Sequence, residues 1–184
     1  LIAKKKRREN IAEYILYLWQ LEDMLRALEL SPDRIRETLV EPQTDLDDQQ
    51  KEALWLWYTD LVNLLRTEGK ERSGHLEHTL HLVADLDDLH RHLLASPVGR
   101  EQGYDRVFAL PRLKAAIAGE EGDPTAISDM EACFRALYLA MLYRLRRPAS
   151  SADDTSSQET SEERYVRDVL EVISPVVARL AAIH

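Results

Sequence analysis

Five of the six histidines of this chain stand within GHLEHTLHLVADLDDLHRHLLA, residues 74–95, together with Asp85, Asp87 and Asp88. Imidazole and carboxylate are the side chains that bind divalent metals or carry protons near neutral pH, so any chemistry would concentrate here. Apolar residues at helical spacing make the run one helix, with Leu82, Val83, Leu86, Leu89 and Leu93 on its buried side. His75 and His90 fall with those leucines. His78, His81, Asp85, Asp88 and His92 form a neighbouring stripe of i,i+3 and i,i+4 steps. His78, His81 and Asp85 have the spacing to hold a divalent cation from one helix; a solvated polar face is the plainer reading, because bundle metal centres take ligands from several helices. Residues fifteen apart on a helix are separated by roughly 22 Å, so His75 and His90 cannot share one ion. Asp87-x-x-His90 has the spacing of a di-metal ligand pair, but the sequence holds no second such pair. No cofactor is expected, and a divalent metal is the one candidate ligand of this kind.

Two carboxylates extend the set. Glu131 sits amid Ile127, Met130, Phe134, Leu137, Tyr138 and Leu142, and Glu22 borders the apolar stripe of the first helix. An acid in such surroundings must be paired or protonated. One reading gathers Glu22, Glu131 and either His75 or His90, with Asp88 nearby, around a polar pocket between helices where a carboxylate serves as base or ligand. The other has the acids bridge to Arg26 and Arg135 as packing elements. Cys133 reads as a small core residue, with no base at fixed spacing to activate it. The chain has no glycine-rich phosphate loop, nucleophile elbow or H-E-x-x-H zinc motif.

The elements that must position these groups are helical throughout, since no segment alternates at the period of a strand. The expected architecture is all-α, an antiparallel bundle of about six to seven helices, some short or kinked. The first spans about 5–30; Ser31-Pro32-Asp33 then caps a short helix that ends before Pro42, and a third covers about 47–68 before Gly69. Ser96-Pro97 ends the histidine-rich helix and a loop at 98–103 follows. A fifth helix over about 104–118 carries Pro111, and a sixth runs over about 125–147 after a loop at 119–124. A polar linker at about 148–160 precedes a last helix over 161–182, kinked at Pro175.

With 184 residues, 45% of them hydrophobic, the chain suits one domain, 1–184, around one sizeable core. A net charge of -9 and a pI near 5.2 argue against nucleic acid as a partner, and the basic run Lys4-Lys5-Lys6-Arg7-Arg8 reads as a solvated terminus. A single cysteine excludes an intrachain disulfide and points to a reducing compartment. No apolar run approaches the roughly 20 residues of a membrane span, and the first residues lack a signal-peptide core, so a cytoplasmic location is expected.

The segments KKRRENIAEYILYLWQLEDMLRA, GHL, DLDDLHRHLL and EACFRALYLAMLYRL together resemble the bacterial, Bacteroidetes-type domain-of-unknown-function family 4924. The resemblance implies a small all-helical cytosolic protein and brings no activity with it. It marks Glu13, Trp19, Gln20, Glu22, Asp23, His75, Asp85, Asp88, His90, Glu131 and Cys133 as the family-like polar or special sites. His78, His81 and His92 lie outside it, which favours the inward set over the stripe. The sequence thus points to a non-enzymatic module acting through a protein partner or its own copies, with a binding pocket at Glu22, Glu131 and His75 or His90 as the alternative.

Overall fold

Asn10 opens the first helix by accepting the N–H groups of Ala12 and Glu13 on its side-chain oxygen, the ordinary solution for the orphan donors of a first turn. The structure, a computed structural model, describes residues 10–108, 127–146 and 161–183. Among these every regular element is a helix, as the periodicity predicts. The basic run at 4–8, the greater part of the fifth helix with Pro111, the loop at 119–124 and the linker at 148–160 lie outside the described residues. The chain divides into two compact units, Leu1–His81 and Leu82–His184, and the boundary falls inside one helix.

In the first unit α1 (Ile11–Ala27) ends in a turn where Glu29 and Leu30 both take left-handed backbone angles, φ 59° and 53°. Non-glycine residues pay for that conformation, and burial of the Leu30 side chain together with a bond from its N–H to the Leu25 carbonyl offsets it. Ser31 and Pro32 then start α2 (Pro32–Ile35), which runs into a π-helical turn, Arg36–Val40, just ahead of Pro42. Helix α3 (Asp48–Thr67) begins with a reciprocal capping box between Asp47 and Gln50, and Gly69, at φ +66°, closes it. Ile15, Leu18, Trp19, Leu25, Ile35, Val62 and Leu65 are completely or almost completely buried. Burying a side chain of this size stabilises by roughly 1.5–3 kcal/mol, so this stripe is what holds the unit together.

Helix α4 (Glu77–Ala95) begins three residues later than its sequence suggests. Gly74 is left-handed at φ +82°, and His75 and Leu76 precede the first turn, so His75 stands at the mouth of the helix rather than on it.

In the second unit the buried positions of α4 are Val83, Leu86, Asp87 and His90. Ser96 does more than end this helix. Its hydroxyl accepts the Gly99 N–H, and Pro97 at the first position starts α5 (Pro97–Glu101) where a loop was expected. Gly99 is required there because a Cβ would overlap the Leu93 carbonyl. The described part of the next helix is α6 (Tyr104–Phe108). Helix α7 (Asp129–Arg146) packs on the C-terminal segment: α8 (Ser161–Asp168), a π-helical turn at Val169–Ile173, and α9 (Ser174–Ile183). Pro175 has no N–H and its ring crowds the Glu171 carbonyl. The helix answers by widening rather than breaking, and the Ser174 N–H reaches back five residues to the Val169 carbonyl. Met130, Cys133, Phe134, Val169, Ile173 and Leu180 are fully buried here.

Candidate functional site

The first unit brings Glu22 and His75 together. Glu22 is only 2% exposed; its Oε1 accepts the Leu76 N–H at 3.1 Å and its Oε2 accepts from His75 Nδ1 at 2.8 Å. A carboxylate accepts, so Nδ1 carries the proton of the ring, an assignment made from the network. The imidazole lies flat on Trp19, 3.8 Å between ring centres and 9° between planes. Trp19 in turn donates its indole N–H to the Thr79 hydroxyl, which donates to the Leu76 carbonyl. Arg26, one turn beyond Glu22, donates to the carbonyls of Lys70 and Gly74 and lies 3.9 Å from the Glu22 carboxylate. The Glu77 N–H goes to the side chain of Glu68. Two carboxylates from other helices therefore serve the first N–H groups of α4, where the helix dipole favours negative charge.

The second unit builds a different cluster around His90, which is 0% exposed. Its Nε2 lies 3.2 Å from Asp129 Oδ2 and its Nδ1 lies 2.7 Å from the Tyr104 hydroxyl. The carboxylate fixes the proton on Nε2, leaving Nδ1 to accept from the phenol. Burial, with Cys133, Asp129 and Asp87 nearby, raises the Tyr104 pKa against the opposing pull of Arg179, so the phenol stays protonated as this network requires. Asp87, also 2% exposed, accepts the Met130 N–H at 3.1 Å and is again a carboxylate on the first turn of another helix. Its second oxygen lies 2.6 Å from Arg91 yet off hydrogen-bonding direction, so that contact is an ion pair only. Burial, then Asp129 and Asp87, pushes the Cys133 thiol up to about 12. A thiol held that high is not a nucleophile at neutral pH.

The remaining candidates are placed as follows. Glu131 is half-buried and paired with Arg135 at 2.6 Å, the structural bridge that its sequence allowed. It occupies the third position of α7, where its N–H bonds to the Ser128 hydroxyl, so Ser128 caps the helix that 125 was expected to begin. Asp88 is exposed, as its place on the outer stripe implies and its place near the pocket does not, and the inward carboxylate is its neighbour Asp87. His78 is half-buried with Nε2 3.5 Å from the Tyr14 hydroxyl, while His81, Asp85 and His92 are exposed. Among the described residues no three His, Cys, Asp or Glu side chains converge so as to hold a metal ion. Glu22 and His75 belong to the first unit, and Asp88, His90 and Glu131 to the second.

Sequence reasoning missed Tyr104, Asp129 and the capping role of Asp87. Only Asp87 carried a signal, its i,i+3 spacing to His90; the others depend on how distant segments meet.

A separate feature of the second unit is a groove of about 450 Å³ between the last turns of α7 and the helix α8, lined by Tyr143, Arg144, Arg146, Glu162, Val166 and Leu170 among others. Leu170 in its lining is 39% exposed. The family model described as Domain of unknown function (DUF4924) matches residues 1–181. The chain belongs to this family. The resemblance carried by the α1, α4 and α7 segments is thereby shown, and the description of DUF4924 names no activity. No curated protein and no solved structure matches the chain. No helix among the described residues is long and apolar enough to cross a membrane.

Proposed function

We propose that the chain is a non-enzymatic, protein-associating helical module of the reducing cytoplasm, whose buried ionisable groups fix helix starts and whose α7–α8 face meets a protein partner. The observation that carries this reading is the groove at that face, where Tyr143 and Val166 stand beside Leu170, a leucine left 39% exposed. Single exposed leucines are ordinary on a protein surface, but a leucine grouped with a tyrosine and a valine in one concavity forms a patch of the kind that marks association. The lone Cys133, buried and held as a thiol, supports the compartment. Photo-cross-linkers placed at positions 143 and 166 in the native host should give a protein adduct that Leu170→Asp abolishes, and one placed at exposed Leu56 on α3 should give none. Equal labelling from all three positions, or none from 143 and 166, would overturn the reading.

One observation favours a second reading. The Glu22–His75 pair is the arrangement by which a carboxylate orients an imidazole for base or ligand work, and the ring keeps 20% of its surface exposed. Because Trp19 stacks on that ring, a metal or small molecule arriving at His75 should quench its fluorescence. Titration with Co²⁺ that saturates in the wild type and disappears in His75→Ala supports this reading, and an identical response in both chains removes it.

A further inference from the structure

We infer that Tyr104 is a one-electron donor to small radical oxidants, its phenolic proton passing to His90 Nδ1 while the Asp129 carboxylate holds the imidazolium that results. In this step the phenol O–H bond breaks, an N–H bond forms at Nδ1, and a single electron reduces an oxidant of the peroxyl or azidyl class to its anion. A neutral phenoxyl radical and a protonated histidine remain, so atoms and charge balance. The proton stays inside the cluster, and return of one electron restores the phenol.

The geometry supplies each part of that step. The Tyr104 hydroxyl lies 2.7 Å from His90 Nδ1, and Nδ1 is the nitrogen with the lone pair because Nε2 faces Asp129 Oδ2 at 3.2 Å. A carboxylate against the far nitrogen stabilises the imidazolium when the near one takes a proton. Asp129 is also the first residue of α7, where the helix dipole favours its negative charge. Burial holds the Tyr104 phenol well above its ordinary range, so water does not remove the proton beforehand and it must leave with the electron, to a base already in contact. Tyr104 is 2% exposed and His90 0%. An electron crosses packed protein where a reagent does not, so the radical forms in the core and is kept from coupling with a second molecule.

Other candidate donors are less well placed. The Tyr14 hydroxyl stands 3.5 Å from His78 Nε2, and Tyr165 donates at 3.5 Å to the Ala136 carbonyl, a poor proton acceptor. Two-electron oxidants attack thiolates, and Cys133, the single cysteine, is buried with its thiol pushed up to about 12.

The test is oxidation of the full chain by a pulse of azidyl radicals, with transient absorption following the phenoxyl radical and freeze-quenched electron paramagnetic resonance recording its persistence. Circular dichroism checks that each variant is folded. The wild type should form a persistent phenoxyl radical, more slowly in D2O than in H2O, and Tyr104→Phe should lose it. His90→Asn should slow its formation roughly a hundredfold, the lower end of what a positioned base contributes, and Asp129→Asn roughly tenfold. If His90→Asn fails to fold, Asp129→Asn, at a side chain 55% exposed, and the isotope effect decide the matter. A wild type without a persistent radical overturns the inference, as does a radical that survives Tyr104→Phe or one whose formation is indifferent to D2O and to Asp129→Asn.

Discussion

The two buried clusters use the same chemistry to different degrees of enclosure. In the first unit Glu22 caps the start of α4 and its histidine remains partly in water, stacked on Trp19. In the second, Asp87 caps the start of α7 while His90 is sealed between a phenol and the carboxylate of Asp129, itself 55% exposed. Each carboxylate accepts a backbone N–H at the start of another helix and lies beside an arginine, Arg26 for Glu22 and Arg91 for Asp87, which explains how an acid survives at 2% exposure. The difference lies in the imidazole. His75 completes a cap that would persist without it, whereas His90 bridges Tyr104 and Asp129.

That contrast can be broken first with pH. Burial raises Tyr58 of the first unit to about 12, with a smaller push from Tyr17, and raises Cys133 of the second to about 12. A folded pKa above the unfolded value means stability is whole below the unfolded pKa and is lost as pH rises through the folded one. The ordinary values are 10.0 for Tyr58 and 9.0 for Cys133. Urea midpoints should therefore hold steady to pH 9, decline from 9 to 10 through Cys133, and fall more steeply up to pH 12 as the tyrosines join. Cys133→Ala should abolish the first decline while leaving the second.

Substitution gives smaller, graded effects. His90→Ala should cost about 3 kcal/mol in chemical denaturation, from the void and from the lost hydrogen bond to the Tyr104 hydroxyl, against about 1 kcal/mol for His75→Ala. Equal losses would erase the distinction between the clusters. Asp87→Ala should cost about 2 kcal/mol, while Asp88→Ala next to it, on the exposed side, should stay within about 0.5 kcal/mol. Glu22→Gln should cost about 1 kcal/mol because the amide oxygen still accepts the Leu76 N–H, while the amide NH2 now faces His75 Nδ1 and obliges the ring to carry its proton on Nε2 instead.

The helices and most of their ends were legible because caps are local. Asp47 with Gln50, Ser31 with Pro32, and Gly69 each act within a few residues. Ser96-Pro97 carries the same start signal as Ser31-Pro32, and reading it only as a stop hid α5. The site was less legible. A helical wheel orders residues by angle alone and leaves Asp87 unassigned, and it is inward because the first turn of α7 comes down on it. His75 leaves the helix because Arg26 draws the carbonyls of Lys70 and Gly74 back onto α1, a contact 44 to 48 residues long in sequence. Tyr104 and Asp129 approach His90 from 14 and 39 residues away, beyond the reach of any spacing rule.

Amide hydrogen exchange at Leu76 and Met130 separates helix capping from chemistry as the purpose of the buried acids. In the native wild type both N–H groups should exchange slowly, held by Glu22 and Asp87. Glu22→Ala should release Leu76 and leave Met130 protected, and Asp87→Ala should do the reverse. Rapid exchange at both positions in the wild type, or protection that survives removal of its own carboxylate, would contradict the capping role.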